Sequence, residues 1–420
     1  MQTHPVLGHV ALGYSPMIDR QRAVVATRLT VFPERPGAEP DAAALLQALA
    51  EVWPDAAGAG AAAPLRPPDP AALHQGARAQ PPVSLNVADE TLLRAVMAQP
   101  LGLQWMVEVP AFMMTEPADI LALQRLRAAG IRLAIKGRPL APLATEVLSC
   151  FSHAIVEAGE DRRVAARPAA GARQVSTLQS GVRTTAEMAT AFDGGAVGVL
   201  GWPFDDPLPT SSGRSQPAND VQVVLELIQG VEREEPVPRL ESVLKRDPAL
   251  AFRLMRFLNS PAFGLTVEIN SFSQALMLLG YQRLKRWLAL LLASSSRVAN
   301  AKPTVFAAGR RGLLMAELAR NRGDATMRGE MFICGVFSLL DRLLAQPLPD
   351  LLQNVQVPDT VQQALRGDGG PYLPYLQLVQ AIEQESAFDM REYAERLLLS
   401  TNEVNRALLT ALQAAQQLEG

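Results

Sequence analysis

Near residue 205 the hydrophobic pattern of this chain changes rhythm, and that change limits the folds open to it. Residues 83–204 alternate short β-branched runs with longer amphipathic ones: VSLNV (83–87), ADETLLRAVMAQ (88–99), QWMVEVP (104–110), EPADILALQRLRAAG (116–130), IRLAIK (131–136), QVSTL (174–178), TTAEMATAFDGG (184–195) and AVGVLGWPF (196–204). Runs of period two read as strands and runs of period 3.6 as helices. Strand and helix in alternation imply parallel strands joined by crossover helices, and about six such units suggest a closed or nearly closed barrel. The stretch EVLSCFSHAIVEAG (146–159) reads as helix-like, with an inner part that also fits a strand. Ahead of the alternation, LGHVALGYSP (7–16) and AVVATRLTVF (23–32) read as two strands around a turn at Asp19-Arg20. A helix fits from about Asp41 to Val52, inside an Ala/Pro/Gly-rich variable segment at 33–82.

Residues 206–220 carry Pro, Ser and Gly with almost no apolar side chains and read as a linker. Beyond them helical spacing dominates. Asp247-Pro248 reads as a helix start, since Asp caps free N–H groups and Pro tolerates the first position. Leu250, Leu254, Phe257 and Leu258 then share one face, as do Leu284, Trp287, Leu288 and Leu291 in a later helix. The domains expected are therefore 1–205, α/β, and 221–420, all-α. A hydrophobic content of 48% with 19% charged residues fits two globular cores.

Charge and composition exclude some partners. A net charge of −3 gives no global drive toward nucleic acid or an anionic membrane. The longest strongly apolar run, Trp287 to Ala293, is far shorter than the roughly 20 residues of a membrane span, and the N-terminus lacks the pattern of a secretion signal. A cytoplasmic location is expected. Cys150 and Cys334 lie in apolar surroundings, so buried thiols are favoured over a disulfide.

The second domain resembles the HDOD family. The resemblance rests on VPRLESVLKRDPALAFRLMRFLNSPAFG (237–264) and INSFSQALMLLGYQRLKRWLALLLASS (269–295), with Asp247-Pro248, Asn259-Ser260 and Leu279-Gly280 in the family's order, and it extends through 330–365. The first domain resembles EAL domains, which in active form hydrolyse cyclic di-GMP. SLNV with Asn86, MVEVP with Glu108, GIRLAIKG (130–137) and LQSGVRTTAEMATAFDGGAVGVLGWPF (178–204) occur in the family's order. The fold class implied is α/β plus all-α: a degenerate TIM-like EAL barrel followed by a helical HDOD domain.

The departures from the EAL pattern bear on activity. Active members hold two divalent metals with clustered carboxylates and activate water for attack on a phosphodiester. By the resemblance, Arg28 replaces the signature glutamate, Lys136 and Gly137 the paired aspartates, Ser180 and Arg183 later glutamates, and Leu200 a glutamine; Gly201 is retained. Asn86 and Glu108 alone remain as plausible ligands, beside cations that repel a metal ion. HDOD domains are related to HD phosphohydrolases, which use His and Asp ligands, yet the histidines are His4, His9, His74 and His153, none in the second domain. No catalytic residue, metal or cofactor is therefore expected, and the leading reading is a non-catalytic signalling protein with a protein partner. The alternatives are a cyclic di-GMP phosphodiesterase and a non-catalytic cyclic di-GMP receptor.

Three features keep two readings each. Glu108 is a residual ligand, or a strand-end carboxylate paired with a nearby cation such as Lys136. Asn86 is a ligand contact, or a hydrogen bond closing the barrel rim. The basic run containing Arg283, Lys285, Arg286, Arg310 and Arg311 is a solvated helix face, or a surface for an acidic protein or nucleotide.

Overall fold

A tight hairpin follows a short 3-10 turn at Pro5–Gly8. Strands β1 (Val10–Asp19) and β2 (Val24–Pro33) pair antiparallel, and the Asp19 carboxylate accepts the Ala23 N–H at 2.8 Å across a turn in which Arg22 takes φ 61°. Asp is a side chain that supports such a turn by bonding its own neighbouring backbone. The structure, a computed structural model, describes residues 4–35, 37, 39–54, 83–139, 142–158, 175–207, 219–244, 246, 274, 276–277, 280–281, 284–286, 288–289, 292, 301–354 and 357–419. The expected loop within 55–82, most of the linker, Asp247-Pro248, Asn259-Ser260, Leu250, Leu254, Phe257, Leu258, Leu279, Trp287, Leu291 and Arg283 lie outside the described residues.

From β2 the sheet runs parallel through β3 (Val83–Val87), β4 (Trp105–Pro110), β5 (Arg132–Lys136), β6 (His153–Glu157), β7 (Ser176–Ser180) and β8 (Gly198–Leu200). Strand β1 then pairs antiparallel with β8, Met17 opposite Leu200, and closes an eight-stranded barrel. Closure removes the exposed edges an open sheet would leave. The ambiguous 146–159 stretch resolves into a short helix, α4 (Thr145–Leu148), followed by β6.

The helices around the barrel begin where their caps dictate. Helix α1 (Ala42–Ala50) starts after Asp41, whose carboxylate accepts from Ala43 and Ala44 N–H, and α2 (Glu90–Met97) after Asp89, which accepts from Leu92. Helix α3 (Pro117–Ala128) has Pro in its first turn, and α5 (Thr185–Asp193) opens with a reciprocal cap between Thr184 and Glu187. Inside the barrel, Met17, Ala26, Met106, Ala134, Ile155, Leu178 and Leu200 form one apolar layer. Gly201 follows at φ 134°, and a Cβ there would lie 2.3 Å from the Val182 carbonyl oxygen, so only glycine fits.

The chain divides into two compact units, Met1–Gly201 and Trp202–Gly420. Within the second unit, Trp202 Nε1 donates to the Glu383 carbonyl at 3.0 Å. Helices of the second unit include α6 (Asn219–Glu232), α7 (Val237–Leu244), α8 (Ala301–Leu318), α9 (Ala325–Phe337), α10 (Leu340–Leu344), α11 (Leu348–Asn354), α12 (Asp359–Arg366), α13 (Leu373–Glu383), α14 (Ala387–Arg396) and α15 (Thr401–Glu419), and the described residues between 274 and 292 are helical as well. Helix α8 is central and largely buried. Gly335 lets α9 cross it closely, since a Cβ there would stand 2.6 Å from the Arg311 carbonyl. Cys150 and Cys334 are both buried free thiols, and burial pushes the Cys334 thiol up to about 12.

Candidate functional site: a polar lattice inside the barrel

Alternate residues of a strand face the same side. Two positions beyond the apolar layer, toward the C-terminal ends of the parallel strands, that rule brings Arg28, Glu108, Lys136 and Ser180 onto the inner face above Ala26, Met106, Ala134 and Leu178. This is the end at which eight-stranded α/β barrels carry their sites.

The residues there bind one another. Arg28 donates from Nε to Glu108 Oε1 and from its terminal nitrogen to Oε2, both at 2.8 Å. Ser84 Oγ also donates to Oε1 at 2.8 Å. Glu108 is fully buried. Burial opposes its ionisation, but the Arg28 guanidinium, the Ser84 hydroxyl and the Lys136 charge together outweigh it and hold the carboxyl below the usual range. One layer on, Lys136 Nζ donates to Asn86 Oδ1 at 2.6 Å, and Asn86 Nδ2 donates to Thr30 Oγ1 at 3.1 Å.

This geometry sorts the two readings of each residue. Glu108 is paired with a cation, Arg28, and the Lys136 charge acts on it as well. Lys136 stands opposite Pro110 in the strand register, past Glu108, and its ammonium meets Asn86 instead. Asn86 closes the rim by hydrogen bonds. Thr30 and Ser84 were not singled out from the sequence; the signal was their place on the same strand face as Arg28 and Asn86. A divalent metal does not fit here. Both oxygens of Glu108 already accept strong bonds from a guanidinium, and the Asn86 oxygen accepts one from an ammonium. Among the described residues no three His, Cys, Asp or Glu side chains gather as a metal group.

The basic run in the second unit is not the exposed surface anticipated for it. Lys285, Arg310 and Arg311 are buried at 3%, 2% and 4% exposure. Arg311 forks onto both oxygens of Glu383 at 2.7–3.0 Å and donates to Ser338 Oγ at 2.8 Å. Arg310 stacks 3.6 Å from the centre of the Phe306 ring, and Arg286 lies over Phe332. Lys285 contacts Glu232, and burial lowers its ammonium to about 8 against the opposing pull of Glu330. Lys285, Arg310 and Arg311 thus meet internal carboxylates and rings and do not form an exposed patch, while Arg286 is half-buried and Arg283 is outside the described residues.

Residues 219–360 match the HDOD domain family. A Bacillus subtilis (strain 168) protein, Uncharacterized protein YuxH, is 27% identical over 251 residues, which cover 59% of this chain and 60% of that one. Cyclic di-GMP phosphodiesterase CdgJ of Vibrio cholerae is 28% identical over 180 residues, covering 43% of this chain and 42% of that one. The chain thus aligns with less than two thirds of either relative. Among solved structures, the EAL domain of Mycobacterium smegmatis DcpA is similar at 16% identity and a TM-score of 0.31, covering 46% of this chain and 90% of that one. PaMucR phosphodiesterase in its c-di-GMP complex is similar at 16% identity and a TM-score of 0.32, covering 48% and 93%. No described helix is long and apolar enough to cross a membrane.

Proposed function

We propose that this chain, which carries an HDOD domain over residues 219–360, is a non-catalytic member of the cyclic di-GMP signalling proteins and works through contacts with a protein partner. The observation that carries the reading is the Arg28–Glu108 ion pair. Metal-assisted phosphodiester hydrolysis needs carboxylate lone pairs free to hold divalent ions and a bound water. Here Glu108, buried on the inner face, already accepts three hydrogen bonds from a guanidinium and a hydroxyl, and Lys136 adds a second positive charge nearby. A dication entering this site would face two fixed cations in surroundings where charge is weakly screened. The helical half has no histidine with which to build a replacement centre. A stable barrel and a large helical unit without that inventory suit recognition better than chemistry.

The runner-up, a cyclic di-GMP phosphodiesterase, follows from the name of the Vibrio cholerae relative, which this chain matches over 42% of its length. Titration of the full chain with Mn²⁺, followed by calorimetry and by the electron paramagnetic resonance of the free ion, separates the two. The proposal expects no saturable binding at millimolar Mn²⁺. Saturable binding that disappears in Glu108→Ala would favour the enzyme.

A further inference from the structure

The segment Trp202–Asp206, which runs into the start of the linker, is irregular in backbone yet seated on the helices of the second unit. The Trp202 indole N–H donates to the Glu383 carbonyl at the end of α13. Its ring packs 6.3 Å from Phe306 of α8 and 5.7 Å from Phe204. The Phe204 ring in turn lies 5.5 Å from the Arg311 guanidinium, and Arg342 of α10 donates to the Asp206 carbonyl. Trp202 and Pro203 are buried and Phe204 is half-buried. Pro203 disfavours helix at the residue before it and fixes its own φ, so the segment is prearranged as an extended strap.

Beneath the strap is the Arg311–Glu383 pair, both partners almost fully buried. Taking such a pair out of water is costly, and letting water back to it returns part of that cost. Lifting the strap is therefore partly offset by hydration of what it uncovers. A short irregular segment held by side-chain contacts also belongs to the class of structure that opens locally while the helices beneath stay folded.

From this arrangement we propose that Trp202–Phe204 is a latch seated in a docking groove of the helical unit, and that the groove takes, when the latch lifts, a short extended peptide of a partner protein carrying a Trp-x-Phe pair. The seated segment defines the chemistry. One indole N–H must reach the Glu383 carbonyl, one ring must rest on Phe306, a second aromatic two residues on must cover Arg311, and a following carbonyl must accept from Arg342. Aromatic side chains in desolvated pockets are the usual anchors of such recognition. The proposal extends the reading that this protein works by protein contacts, and its test leaves the barrel's ligands aside, so that either can fail alone.

The probe is a fluorescein-labelled peptide of residues 201–207, GWPFDDP, titrated against the full chain and against a full-chain Trp202→Ala/Phe204→Ala variant, with anisotropy as the readout. The variant is expected to bind the peptide saturably and at least tenfold more tightly than the parent, and a peptide with both aromatics changed to Ala is expected not to bind. Equal affinity for parent and variant, or no binding to a variant that keeps its helical circular dichroism, overturns the proposal. If the variant loses its helical signal, exchange of the Trp202 indole N–H in the parent decides. A latch exchanges by a local opening that denaturant hardly accelerates, whereas exchange only at the rate and denaturant dependence of the α13 amides means the segment is a permanent part of the core.

Discussion

The Arg28 guanidinium holds both oxygens of Glu108 at 2.8 Å, joining β2 to β4 across the intervening β3 on the inner face of the barrel. The register makes this possible: Arg28 stands opposite Ser84 on β3, and Asn86, two residues on, stands opposite Glu108. Ser84 then supplies the third bond to the same carboxylate.

Removing one member of the pair should hurt more than removing both. Arg28→Met leaves the buried Glu108 without its paired guanidinium, with only the Ser84 hydroxyl and the Lys136 charge to support it, and a cost of about 3 kcal/mol to the barrel is expected. Arg28→Met with Glu108→Leu should recover much of that loss. Urea unfolding of the two variants and the parent gives the cycle; equal losses in the single and the double variant would show that the pair is not what compensates the charge.

Acid should loosen the barrel through Glu108. Its folded pKa lies below the unfolded value of about 4.3. A depressed carboxyl contributes stability that is fully present above the unfolded pKa and is lost as pH falls through the folded one. The parent should therefore lose barrel stability below about pH 4.3 more steeply than the Arg28→Met/Glu108→Leu variant. Denaturant midpoints measured from pH 6 downward compare the two, and parallel curves would count against the assignment.

In the helical unit, charge reversal at Arg310 and Arg311 should unfold rather than merely weaken a partner contact. Arg311→Met alone strands the buried Glu383 carboxylate and is expected to cost about 3–5 kcal/mol. Thermal unfolding followed at 222 nm reads this; a shift within error would mean that the pair is exposed in solution.

Gly335→Ala tests the close crossing of α8 and α9. The added methyl would stand 2.6 Å from the Arg311 backbone, so the helices must separate, at an expected cost of about 1–3 kcal/mol. Urea unfolding measures it, and a neutral substitution would contradict the crossing.

Much of the architecture is written locally in the sequence. The β1–β2 hairpin, the Asp41 cap and the Thr184–Glu187 cap depend on neighbours within a few residues; the first strand alone is shifted, running Val10–Asp19 after a 3-10 turn at Pro5–Gly8 rather than from residue 7. The 146–159 stretch was ambiguous because a short apolar run fits helix and strand equally, and only pairing with β5 and β7 makes 153–157 a strand. Glu108 was legible as a paired carboxylate, but its partner was not, because the choice between Arg28 and Lys136 depends on register across three strands. The basic run misled for a related reason. A cluster of arginines reads as a solvated face until the carboxylate that buries one of them is known, and Glu383 lies seventy-two residues beyond Arg311. The strap was invisible for the same cause, since Trp202 finds its acceptor 181 residues away.

The most direct test of the central claim is turnover. This 420-residue chain incubated with cyclic di-GMP and Mg²⁺ or Mn²⁺, with products separated by chromatography, should release no linear dinucleotide above a no-protein control. Metal-dependent release that is abolished by Glu108→Ala would contradict the account, because it would require Glu108 to leave Arg28 and hold a metal ion.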